Sequence, residues 1–148
     1  MQHTAKLQFA YLSESGANYA KRGFVAIAYD MIGYNDTVQL PHHRGYTGEN
    51  TEYYPELEYN ISRFGLQLNN SIKVVDFTVS LPYVDTDRIG CTGCSGGGTQ
   101  TYFLTAYDQR IKAAAPINMA GFFYQGGCMC ENPPFLRIDT NSIDYTMM

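Results

Sequence analysis

The run Gly93-Cys94-Ser95-Gly96-Gly97-Gly98-Thr99-Gln100-Thr101 holds the residues best placed to do chemistry. Within it, Gly93, Ser95 and Gly97 make the Gly-x-Ser-x-Gly pattern of a nucleophile elbow. In such a turn the chain passes sharply from a strand into a helix and leaves the serine at the tip, on a strained backbone. The small residues two before and two after are expected to let strand and helix approach without side-chain collision. The free N–H groups and positive dipole end of the helix behind the serine suit a developing oxyanion. The chemistry is acyl transfer, with Ser95 as candidate nucleophile and the Gly96 backbone N–H as candidate oxyanion donor. The competing structural reading is a glycine-rich turn with a solvated serine. Two other glycine-rich devices are excluded. A P-loop needs lysine where Thr99 stands, and the glycine spacing does not make Gly-x-Gly-x-x-Gly.

Four cysteines form a second group, as Cys91-x-x-Cys94 and Cys128-x-Cys130. Three readings apply to them. A four-thiolate zinc site has a plausible ligand count, but the direction of Cys94 is dictated by the turn and the Cys128–Cys130 spacing is tight. A thioredoxin-like pair at Cys91 and Cys94 leaves the serine and the glycines unexplained. The preferred reading makes Cys91 and Cys94 small buried hydrophobes and leaves Cys128 and Cys130 without an assigned role. Asp85 and Asp87 read more economically as turn residues paired with Arg88 than as metal ligands. The histidines are His3, His42 and His43, all ahead of Ser95. The His42–His43 pair reads as solvated loop chemistry, with a substitute-base role as the weaker alternative. No cofactor or metal is expected.

These groups need a framework, and the hydropathy pattern supplies one. Residues 4–22 read as a helix stopped by Gly23. Phe24 to Tyr29 is a continuous apolar run of the kind found in a strand buried on both faces of a parallel sheet. Met31 to Thr37 then leaves as a loop. Residues 38–59 show no clean period, as befits a long functional or mobile loop. Phe64, Leu68, Ile72, Val75 and Val79 fall on one face of a helix over about 62–80, closed by Leu81-Pro82. The elbow strand follows from Arg88, then a helix over 99–107, a turn at 108–110 and a strand over 111–117. That order implies right-handed crossovers and a parallel sheet. Residues 118–148 are irregular, lie after a strand end, and are a candidate cap over Ser95.

The 148 residues make one domain or part of one, long enough for a core. The net charge of −4, without a basic run, argues against nucleic acid. No apolar run is long enough to span a membrane, and the N-terminus has no signal-peptide pattern. Compartment and oligomeric state are not legible.

Asp85 to Gly90 followed by Gly93 to Thr101 resembles the α/β-hydrolase superfamily, and more narrowly the acetyl xylan esterase and dienelactone hydrolase-like group. Residues 20–24, 29–34 and 126–132 resemble the same group, in consistent order. The resemblance implies a three-layer αβα fold with a mostly parallel sheet and a carboxylic ester hydrolase acting through a Ser-Asp/Glu-His triad. It carries Ser95 over as nucleophile and Gly96 as oxyanion donor, with a small-molecule or carbohydrate ester as substrate. The superfamily's triad runs serine, then acid, then histidine, and no histidine follows Ser95 here. The expectation is therefore that residues 1–148 are the central part of one hydrolase domain, without its first and last strands. Such a chain is expected to have negligible esterase activity by itself.

Overall fold

A computed structural model describes residues 14–37, 39–40, 59, 61 and 63–117. The chain divides into two compact units, Met1–His42 and His43–Met148.

In the first unit, residues 14–21 are helical (α1). Gly23 stops the helix as expected, in the left-handed region at φ 85°. The Gly23 N–H donates to Ala20 O at 2.9 Å and the Phe24 N–H to Tyr19 O at 3.1 Å, the paired bonds of a Schellman cap. The rings of Tyr19 and Phe24 meet edge to face at 6.0 Å, the apolar contact that accompanies such caps. The expected strand over Phe24–Tyr29 is not formed. Residues 24–31 have no regular structure, and Phe24 is 60% exposed. An apolar run becomes a strand only by pairing its backbone, and no second strand is described in this unit. The loop after it is compact. The Thr37 hydroxyl donates to Met31 O (2.6 Å) or Tyr34 O (2.7 Å), and Asn35 Nδ2 donates to Asp30 Oδ1 at 2.6 Å.

In the second unit, α2 (Arg63–Ser80) is followed by β1 (Ile89–Cys94), α3 (Gly96–Tyr107) and β2 (Ile111–Ile117). The α2 stripe read from the sequence faces inward. Phe64 and Val75 are buried, with Leu68, Ile72 and Val79 packed around them. The helix ends before Leu81 because the following Pro82 disfavours helical backbone there. The β1 and β2 strands pair in parallel, as the βαβ order requires. Val75, Ile89, Leu104 and Ile111 form one apolar cluster, and Phe64 with Phe103 a second. Both helices therefore cover one face of the strand pair. On β1 that face carries Ile89, Cys91 and Gly93, and the opposite face carries Gly90, Thr92 and Cys94, all exposed.

The turn after α3 is held by charge. The Asp108 N–H donates to Leu104 O at 2.8 Å, and the nearly buried Asp108 carboxylate accepts from Arg110 Nε at 2.8 Å. Arg110 Nη1 also reaches Asp76 Oδ1 on α2 at 2.9 Å, and Lys73 Nζ lies 3.1 Å from Asp76 Oδ2. Arg110 thereby ties the α3–β2 turn to α2. Asp85 accepts from the Asp87 N–H at 3.1 Å, which bears out its reading as a turn residue.

Candidate active site

β1 delivers the chain to Ser95 and α3 carries it away. The register places Cys94 beside Ile117, so the carboxyl ends of both strands lie at one edge. The Ser95 N–H donates to Ile117 O at 3.0 Å and extends the ladder by one bond. Ser95 O then accepts from the Thr99 N–H at 3.0 Å, closing the first turn of α3. The turn is therefore anchored on both sides, at the strand end where α/β folds place their sites.

Ser95 itself has φ 57° and ψ −122°. A positive φ is uncommon outside glycine and is maintained only where the surroundings over-determine it. It has a direct chemical consequence. Serine is among the best helix N-caps, yet here its side chain makes no cap hydrogen bond. The hydroxyl of an ordinary cap is turned back onto its own helix, whereas Ser95 is exposed at the head of α3.

Gly96 is the first residue of α3, so its N–H is among the four that an α-helix leaves without an intrahelical partner. The helix begins three residues ahead of the expected start at 99, because Gly96, Gly97 and Gly98 all take helical backbone. The two glycines of the motif do different work. A Cβ on Gly93 would collide with the Gly97 backbone, including its carbonyl carbon at 2.6 Å. A Cβ on Gly97 would meet nothing within 4 Å. The tight approach thus demands glycine at 93 only, and the expectation that both positions require it is half met.

The cysteine readings separate in the same way. Cys91 and Cys94 are three apart on one strand and point to opposite faces. A disulfide between them is excluded, since three strand residues span about 10 Å and a bridge needs roughly 4.4–6.8 Å between Cα atoms. Cys91 packs against α3, with Sγ 3.3 Å from the Thr105 hydroxyl, and burial pushes its thiol pKa up. Cys94 is exposed, which corrects its reading as a buried hydrophobe. Residues Cys128 and Cys130, the three histidines and the candidate cap 118–148 lie outside the described residues.

A polar seam beneath the turn was missed in the reading of the sequence. Gln67 and Ser71 on α2 and Gln100 on α3 are all buried. Gln100 Nε2 donates to Gln67 Oε1 at 3.3 Å, and Ser71 Oγ lies 3.4 Å from Gln100 Oε1. Thr99, beside Gln100, is fully buried. The available signal was positional: Gln67 and Ser71 fall between Phe64 and Val75 at helical spacing, on the face that must be inside.

With this geometry in view, comparison with known proteins decides the family. Residues 13–124 match the model of the prolyl oligopeptidase family. The chain belongs to that family. It is a serine hydrolase family with the α/β-hydrolase fold, so the coarse expectation of fold holds, and β1–α3–β2 with α2 is a part of that fold. The narrower likeness to acetyl xylan esterases is not what the family match supports. The chain is also 31% identical over 110 residues to the uncharacterized protein YcjY of Escherichia coli (strain K12). That match covers 72% of this chain and 30% of the relative, so the chain corresponds to under a third of that relative's length. No solved structure matches significantly.

Proposed function

We propose that this chain carries the nucleophile of a serine hydrolase that transfers acyl groups, with Ser95 attacking a carbonyl carbon and the Gly96 N–H stabilising the oxyanion. The observation that carries this reading is the positive φ of Ser95 at the junction of β1 and α3. A loop without chemical duty has no reason to hold serine there, since glycine would adopt the same backbone without strain. Attack on an ester or amide proceeds through the same tetrahedral intermediate, so the elbow does not choose between them. The resemblance of the surrounding residues favours a carboxylic ester, such as an acetyl ester of a small molecule or sugar. The family's name speaks for peptides.

The base of the expected triad order is not among these 148 residues. All three histidines precede Ser95, and a serine without an adjacent base is a weak nucleophile. The second reading is a hydrolase-like domain that binds ligand without turnover.

A fluorophosphonate probe separates the two. Ser95 should become covalently labelled, with the adduct mapped to the Gly93–Thr101 peptide, and Ser95→Ala should abolish the labelling. Turnover of p-nitrophenyl acetate beyond that of a prolyl p-nitroanilide would place the preference with esters. Absence of label on folded protein would leave the binding reading in place.

A further inference from the structure

The seam between α2 and α3 is polar where apolar packing was available. Along α2 the buried positions are Arg63, Phe64, Gln67, Ser71 and Val75. Phe64 belongs to one apolar cluster and Val75 to the other, Leu68 packs against both, and Gln67 and Ser71 lie between them on the buried face. Burying them brings little net stability. A hydrogen bond made on folding replaces one made to water, so its net gain is small. The seam is also incompletely satisfied, since Gln67 Nε2 and Thr99 Oγ1 are buried without a hydrogen-bond partner. Each such group carries a desolvation penalty that nothing offsets. Leucine at 67 would remove that penalty and add to the apolar contact that Leu68 already makes with both clusters.

What the polar pair supplies is direction. Apolar surfaces tolerate sliding, and the edge-to-face contact of Phe64 and Phe103, 5.1 Å between centroids, fixes proximity better than height. The Gln100 amide donates to Gln67 Oε1, and its Oε1 lies 3.4 Å from the Ser71 hydroxyl, whose shorter bond, 3.0 Å, is to Gln67 O of its own helix. Such a pair is satisfied at one axial register of α3 against α2, the use of buried polar groups that is best attested. Gln100 is only five residues from Ser95, within the helix whose first turn closes on Ser95 O.

We propose that Gln67 is a positioning residue for Ser95: through Gln100 it fixes the axial register of α3 and so the height of the serine above the ends of β1 and β2. The catalytic meaning of that position rests on the reading of Ser95 as nucleophile.

The test uses Gln67→Leu in the whole protein, with Gln100→Met as the same cut made from the other helix. In either variant, amide exchange at Thr99, whose N–H closes on Ser95 O, should rise about tenfold while the β1 and β2 amides keep their wild-type protection. The urea midpoint should hold or rise, which a merely structural role would not allow. Fluorophosphonate acylation of Ser95 should slow by about tenfold, and the double variant should match a single one, since one contact is cut. Thr99 exchange unchanged in both variants, or rising in step with the strand amides, would overturn the proposal. If wild-type Ser95 is never acylated yet Thr99 responds as described, the hydrolase reading falls and the positioning of the turn stands.

Discussion

A positive φ at a β-carbon-bearing residue costs on the order of 1–3 kcal/mol, which is a large share of the stability of a small domain. Ser95 carries that cost, and Gly93 makes it possible by leaving room for the Gly97 backbone. The strain gives a prediction at this scale. Ser95→Gly keeps the turn and releases the strain, at the expense of roughly 0.5–1 kcal/mol for the added freedom of the unfolded chain. The balance is a variant about 1 kcal/mol more stable and chemically silent, read as a higher urea midpoint at unchanged slope together with loss of fluorophosphonate labelling. A midpoint below wild type would mean that the surroundings, and not the serine, set the backbone at 95.

At the scale of elements, the sequence was most legible where one pattern sufficed. The α2 stripe from Phe64 to Val79 gave the helix within a residue, and β2 begins and ends where its apolar run does. The turn at Ser95 was legible because its chemistry is local: a glycine that cannot be larger and a serine at a fixed offset. Three features escaped. The start of α3 was placed too late because glycine is a poor helix former, and here the anchored turn overrides propensity. The run 24–29 has strand composition but no described partner, and pairing is a property of two segments. The Arg110 clamp was likewise invisible, since it joins residues 34 apart in sequence. It makes a prediction. Hydrogen bonds from Arg110 lower the Asp108 pKa, and those from Lys73, then Arg110, lower that of Asp76. Carboxylates so depressed add stability that is present above their unfolded pKa and is lost as pH falls through the folded value. Arg110→Met should therefore lower the urea midpoint at neutral pH, with the gap to wild type closing below about pH 4. Equal gaps at pH 7 and pH 3 in urea titrations would show that Arg110 acts by packing alone.

Across the molecule, the described residues of each unit include exposed apolar side chains. In the first, Phe24 is 60% exposed and Val25 47%, in an apolar run of six. In the second, the face of the strand pair opposite the helices carries Thr92 and Cys94, with Ile117 46% exposed at the site edge. Single exposed hydrophobes are ordinary, whereas a contiguous exposed apolar run is a template for association. Of the two surfaces, residues 24–29 are the more prone, because their composition combines high β propensity, low charge and no proline. The chain should therefore self-associate reversibly as its concentration rises through the micromolar range. A Phe24→Asp substitution should suppress that by placing a charge in the run, as edge strands are protected in nature. Ile117→Lys, on the other unit, should have the smaller effect. Sedimentation velocity over a concentration series distinguishes the cases. A monomer throughout, or association abolished by Ile117→Lys and untouched by Phe24→Asp, would move the adhesive surface from the apolar run to the open face of the strand pair beside Ser95.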